Sequence, residues 1–168
     1  MTNVARSVPA ADKAIAYKNV RERIDALLVG DLDWIAAMAT VACELHNAFD
    51  YFHWTGFYRN VDGKNLLIGP YQGGHGCLHI AFDRGVCGAA ARTRQTQLVD
   101  DVDSFPGHIA CSSSTRSEIV VPVVTPDDQL LAVLDVDSDL PGAFDSIDQR
   151  ALEDLCASLG TMFGTART

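Results

Sequence analysis

Two apolar runs, Glu118 to Thr125 and Gln129 to Asp137, are separated only by Pro126-Asp127-Asp128. Strands joined by so short a turn pair antiparallel, since a parallel return needs a crossover of a dozen or more residues. If the turn centres between Pro126 and Asp127, facing residues have numbers summing to about 253. Glu118 then falls opposite Asp135, and Asp137 lies two residues on, on the same face. Three carboxylates gather at one end of that face, an alignment that a one-residue slip would break. Like charges so close raise at least one pKa and leave a proton donor near neutral pH. Such a cluster also binds an ammonium. The competing reading, that Asp135 and Asp137 merely end a strand in solvent, is equally compatible with the sequence.

The rest of the pattern sets this hairpin in an α+β fold. Residues 9–29 read as a helix, with Ala11, Ala14, Ile15, Val20, Ile24 and Leu28 as a loose apolar stripe ended by Gly30. Asp31 is placed to cap a second helix, whose stripe is Ile35, Met38, Ala42, Leu45 and Phe49. Tyr51 to Tyr58 is strand-like, Asp62-Gly63 marks a hairpin turn, and Leu66 to Ile68 resumes as strand. Residues 69–77 form a glycine-dense loop. A short strand at Leu78 to Phe82, a tightly packed helix at Gly85 to Ala91 and a strand at Gln97 to Val99 follow. Asp100 to Ser117 has no periodicity, and a loop that long inside a compact domain is usually functional. Asp145 caps a last helix that buries Ile147, Ala151, Leu152, Leu155, Leu159 and Met162. A length of 168 residues suits one structural domain, with a central, mostly antiparallel sheet flanked by N-terminal and C-terminal helices.

Charge narrows the partners. Twenty-two acids against 13 bases give a net charge of −9, with no Lys/Arg block. Nucleic acid and anionic membrane are therefore not expected partners. Apolar stretches are only a few residues long, too short to span a bilayer. The first thirty residues mix acids and bases and resemble neither a signal nor a transit peptide, so a cytoplasmic location is expected.

Five cysteines in a chain without an export signal are expected to be mostly reduced. Cys43 and Cys156 lie in helical patterns among apolar neighbours and read as core. Cys77, Cys87 and Cys111 sit beside glycine or small polar residues at or near loops, where thiols are partly exposed and reactive. Reactive thiols, a metal site and plain burial all remain open for these three. With His75, His79 or His108 they supply four ligands, and Cys77 and His79 share a strand face, but no zinc-type spacing is present. Trp54 and Tyr71 are either core or the walls of an apolar pocket for a thioether or methyl group. The run Gly107 to Cys111 can present backbone N–H groups, around Ile109 and Ala110, to a carboxylate. His108 either belongs to that site or holds the loop by hydrogen bonds.

Six segments together carry a resemblance. They are Trp54-Thr-Gly-Phe-Tyr58, Gly69-Pro-Tyr-Gln-Gly73, Gly85-Val-Cys-Gly88, Phe105-Pro-Gly-His-Ile-Ala-Cys111, Arg116-Ser-Glu-Ile-Val-Val-Pro122 and Leu134-Asp-Val-Asp-Ser138. From about residue 34 to residue 160 the chain resembles the GAF-domain free methionine-(R)-sulfoxide reductases. The resemblance implies a single GAF-like domain over 31–164, preceded by an N-terminal helix over 1–30. It implies that Cys111 attacks the sulfur of free L-methionine-(R)-sulfoxide and becomes a sulfenic acid, that Cys77 resolves it to a disulfide, and that Cys87 is a second recycling thiol. Glu118 matches the proton-donating carboxylate, and Asp135 and Asp137 match the acids that hold the substrate ammonium. Trp54 and Tyr71 would pack the methyl-sulfur end, and backbone near Ile109 and Ala110 would hold the carboxylate. No bound cofactor or metal is implied. Thioredoxin, fed by NADPH through thioredoxin reductase, is the implied reductant, and a homodimer the implied assembly. The chain departs from the family's common pattern at Gly-Gly-His-Gly-Cys77, at Ser112 in place of Asp, and at Tyr71 in place of Phe.

Two rival readings come from other classes. One is a GAF module that binds a small ligand without turning it over; three placed thiols have no task there. The other is a structural zinc domain.

Overall fold

The computed structural model describes residues 9–30, 32–109, 111 and 113–164. Helices α1 (Ala10–Leu27) and α2 (Trp34–Ala48) lead into strands β1 (Trp54–Asn60), β2 (Asn65–Gln72) and β3 (His79–Ala81). Helix α3 (Gly85–Thr93), strand β4 (Gln97–Val99) and a 3-10 turn (Val102–Ser104) follow, then β5 (Ser117–Val124), β6 (Leu130–Ser138) and helix α4 (Ser146–Phe163). The sheet runs β3-β2-β1-β6-β5-β4, and every neighbouring pair is antiparallel. The expected α+β architecture is the observed one.

Alternation along the strands gives the sheet two buried faces. Phe57, Ile119, Val121, Val123, Leu134 and Val136 point to one side and pack under α1, α2 and α4. Trp54, Tyr58, Val120 and Val133 point to the other, where α3 and the long loop cover them with Val86, Cys87, Ala90 and Val102. Structural helices thus crowd one face, and the candidate chemistry lies on the other.

The β5–β6 hairpin holds its face but not the expected register. Glu118 pairs with Asp137, and Val120 with Asp135, two residues from the expected partners. The turn is the cause. It closes Thr125 onto Gln129 with Asp128 at φ 65, a three-residue loop with a left-handed last residue, and an irregularity between Val123 and Val124 adds a further step. Since side chains alternate with period two, a two-residue shift leaves all three acids on the expected side.

Other local differences have local causes. Strand β2 runs through Gly69 and Pro70 to Gln72, where a loop is expected, because β1 skips register between Gly56 and Tyr58. Proline is tolerated at such an irregularity, beyond the reach of β3, which pairs only with residues 65–67. Strand β1 begins at Trp54, not Tyr51, and Tyr51 and Phe52 instead fill the helical-side core. Strand β3 begins at His79, so Cys77 does not share a strand with it. The expected cap Asp31 lies outside the described residues, and the Asp33 side chain accepts from the Ala36 N–H at the start of α2. Helix α1 buries Lys13, Tyr17, Val20 and Ile24, which turns Ile15 outward; Ile35 and Met162 are exposed as well.

The orientation of α1 follows from a buried ionic knot. Lys13 Nζ lies 2.6 Å from Asp148 Oδ2 and 2.9 Å from Asp145 Oδ2. The Tyr17 and Tyr51 hydroxyls both donate to Asp148 Oδ1, at 2.7 and 2.6 Å. Asp145 and Asp148 also form the capping box of α4, so one network fastens the first helix to the start of the last. Among the described residues no helix is long and apolar enough to cross a membrane.

Candidate active site

Three strands deliver the acids. Trp54, Asp137 and Glu118 stand side by side across β1, β6 and β5, and Gly56, Asp135 and Val120 form the next row on the same face. Helix α3 lays Cys87 over them. It can approach because residue 88 is glycine: a Cβ there would fall 2.7 Å from the Ala81 carbonyl oxygen. Cys87 Sγ lies 4.0 Å from Glu118 Oε1, and donor atoms of Cys87, Glu118 and Asp135 all lie within 4.8 Å of one another, each residue buried.

Burial and mutual repulsion raise the pKa of every acid in this cluster. Glu118 is held well above the usual carboxylate range, first by burial and then by the charges of Asp135 and Asp137. Burial pushes Asp135 up to about 7, while hydrogen bonds from Cys87 and Glu118 pull the other way. Asp137 is raised by burial and by Asp135, and lowered by its bond to Thr115. Burial, then the charges of Asp135 and Glu118, raise the Cys87 thiol well above its ordinary value. The cluster can therefore donate a proton, and its carboxylates can hold a buried cation. Cys87 is kept as a thiol.

The long loop roofs this face. It is tied down where Val102 N–H donates to the Arg116 carbonyl at 3.0 Å, Arg116 N–H to Ser138 at 2.8 Å and Gly85 N–H to Gly107 at 3.2 Å. His53 Nε2 and Ser114 Oγ lie 3.0 Å apart and pin its far end. Within it, Cys111 forms a disulfide with Cys77, 34 residues away, with Cα atoms 5.3 Å apart. Below lies a cavity of about 30 Å³ lined by Cys87, Ile109, Cys111, Thr115, Glu118, Asp135 and Asp137, among others. Such a volume holds one or two waters. His108 also faces it, with Nε2 4.0 Å from Glu118 Oε2.

The structure thus brings Cys111, Cys77, Cys87, Glu118, Asp135, Asp137 and Ile109 together; Ala110 lies outside the described residues. Trp54 and Tyr71 stack with ring centroids 5.3 Å apart on the same face, beside the cavity and not lining it. Trp54 is buried and donates from Nε1 to the Gly74 carbonyl at 3.1 Å. The glycine loop wraps it closely: Gly73 has φ +108, and a Cβ there would meet the His53 carbonyl oxygen at 2.8 Å. With Cys77 and Cys111 bonded to each other, the cysteine–histidine metal set is not assembled. Cys156 is core as expected, but Cys43 is only half-buried and its sulfur receives a bond from Asn47.

Two neighbours escaped the sequence reading. Tyr58 stacks on Trp54 at 5.7 Å, and its hydroxyl is raised by burial and by the charges of Asp135, Cys87, Asp137 and Glu118. Its parity with Trp54 on one strand was the available signal. Thr115, the partner of Asp137, carries none.

Comparison with known proteins agrees with this geometry. The sequence profile described as "GAF domain" matches residues 35–163. "GAF domain-containing protein A" of Dictyostelium discoideum is 43% identical over 146 residues, covering 86% of this chain and 90% of that one. "Free methionine-R-sulfoxide reductase" of Escherichia coli is 36% identical over 154 residues, 92% of each chain. The solved free methionine-R-sulfoxide reductase of Neisseria meningitidis in complex with its substrate is 42% identical, has a TM-score of 0.87 and covers 94% of each chain.

Proposed function

The chain belongs to the GAF-domain family of free methionine-(R)-sulfoxide reductases, and on that footing we propose that it reduces free L-methionine-(R)-sulfoxide to L-methionine by thiol chemistry. The observation that carries this is the Cys77–Cys111 disulfide standing as the roof over three enclosed carboxylates. A bond at that place is the oxidised end of a two-thiol cycle.

The cycle begins with both roof cysteines reduced. The Cys111 thiolate attacks the sulfoxide sulfur, the oxygen takes up protons, and methionine leaves with Cys111 as sulfenic acid. Cys77 then attacks Cys111 Sγ, water leaves, and the disulfide forms. The sum is one sulfoxide and two thiols giving methionine, one disulfide and one water. Glu118 donates the proton, since burial and the charges of Asp135 and Asp137 hold its pKa well above the usual carboxylate range. Asp135 and Asp137 receive the substrate ammonium, Ile109 and Ala110 offer backbone to its carboxylate, and Trp54 and Tyr71 pack its methyl end. A substrate recognised by both free termini excludes peptide-bound sulfoxide. A cavity of about 30 Å³ does not admit it, so reduction must first part the two loops that the disulfide joins.

Thioredoxin, fed by NADPH through thioredoxin reductase, is the reductant in this reading. The support is that Cys77 and Cys111 are both half-exposed, open to attack by an external thiolate, whereas Cys87 is buried beneath. A cytoplasmic location suits such a cycle. A homodimer is part of the same reading, supported by the exposed apolar side chains Ile15, Leu27, Ile35 and Met162 on the helical layer. Light scattering on a sizing column measures that.

The deciding experiment is NADPH consumption coupled through thioredoxin and its reductase, with free (R)-sulfoxide, free (S)-sulfoxide and a peptide-bound (R)-sulfoxide in parallel. Turnover of the free (R)-form alone is expected. No turnover with any substrate, from folded and fully reduced protein that still binds the free sulfoxide, would replace the enzyme with a ligand-binding GAF module.

A further inference from the structure

We infer that Cys87, Glu118 and Asp135, with His108 at the rim, form a binding site for one zinc ion beneath the Cys77–Cys111 disulfide. The donors come from three elements, α3, β5 and β6, and their ligand atoms lie within 4.8 Å of one another.

Distance is the first support. Zinc bonds sulfur at about 2.3 Å and carboxylate oxygen at about 2.0 Å, so two such donors on one ion lie no more than about 4.3 Å apart. Cys87 Sγ and Glu118 Oε1, 4.0 Å apart, lie inside that bound, whereas the three-residue set lies within 4.8 Å, so its side chains draw in by up to about half an ångström to share one ion. His108 Nε2 lies 4.0 Å from Glu118 Oε2, beside the three-donor set and not within it, so water takes the fourth position.

The second support is an unfilled valence. Asp135 is 5% exposed, yet its Oδ1 is buried with no hydrogen-bond partner. An orphaned carboxylate oxygen in a closed site is costly unless something positive meets it. The cavity it lines, about 30 Å³, accommodates an ion and a water but not an organic cation of substrate size. One sulfur and two carboxylates select a borderline-soft ion such as zinc over calcium or magnesium, which take six or more oxygens.

Binding involves no change of oxidation state. Zinc displaces the proton from the Cys87 thiol and the one held on Glu118; both leave to solvent, and the thiolate and carboxylates bond the ion. Where Asp135 also receives the substrate ammonium, which rests on the reading of the preceding subsection, ion and substrate exclude each other.

The test uses full-length, chelator-stripped protein with the disulfide intact, so that Cys77 and Cys111 cannot ligate and no turnover enters. Calorimetric titration with zinc should show one site per chain. Cys87→Ser and Asp135→Asn, checked for native circular dichroism, should each weaken it by about 10- to 100-fold. Cobalt in place of zinc should give a sulfur-to-metal charge-transfer band in the Cys43→Ser protein, which retains Cys87 and the deeply buried Cys156 of α4 as its only thiols. That measurement does not need either site variant to fold. Absence of one-to-one binding, absence of the band, or undiminished affinity in a folded Cys87→Ser protein overturns the site. The coupled assay is separate, so failure of one claim leaves the other standing.

Discussion

Glu118 of β5 stands directly opposite Asp137 of β6, and Asp135, paired with Val120, stands one row along on the same face. Three acids share one enclosed face because protons remain where isolated carboxylates would have lost them.

That arrangement makes stability fall as pH rises. A carboxyl whose pKa is raised by folding binds more protons in the native state than in the unfolded chain. The slope of stability with pH is then negative between the unfolded pKa, about 4, and the folded one. For Asp135 this window runs from about 4 to about 7. Each fully responding group contributes about 1.4 kcal/mol per pH unit. Thermal melts of the disulfide form between pH 4 and 8 should show the decline, shallower in Glu118→Gln. An equal slope in that variant would mean the proton is held elsewhere.

Glu118→Gln should also lower kcat by about 10²- to 10⁴-fold, the usual worth of a positioned acid, and flatten the basic limb of the pH–rate profile. Retention of that limb would remove Glu118 from proton donation.

Cys111→Ser should abolish turnover, because a hydroxyl cannot replace the attacking thiolate near neutral pH. Cys77→Ala should complete about one turnover, seen as a methionine burst, and then stall with thioredoxin. Sustained turnover in Cys77→Ala would hand the resolving role to Cys87.

Lys13→Ala removes the one cation of a buried network and leaves Asp148 with two tyrosine hydroxyls and no counter-charge. Loss of one partner of a buried pair costs about 3–5 kcal/mol. Urea midpoints should fall accordingly, while specific activity of the folded fraction is kept. A change under about 1 kcal/mol would show that water reaches Asp148.

The hairpin, its acids and their common face were legible because alternation with period two survives any even shift in register. The register itself was not, since it depends on Asp128 entering the left-handed region and on an irregularity at Val123–Val124, neither of which leaves a mark in composition. The Cys77–Cys111 pairing came from resemblance, because the fold joins loops 34 residues apart and spacing alone does not select among three thiols. Tyr58 was within reach through its parity with Trp54. Thr115 and the outward turn of Ile15 were not, since both follow from what the rest of the chain packs against them.

The length of the loop that the disulfide closes has a thermodynamic corollary. Tying residues 34 apart removes entropy from the unfolded chain worth about 4 kcal/mol. By linkage, the folded frame shifts the balance toward the oxidised pair by the same amount, relative to the unfolded chain. Folding thus pulls the resolving step forward and opposes recycling, and the protein softens each time it is recharged. A simple melting curve therefore reads which half of its redox cycle the molecule occupies.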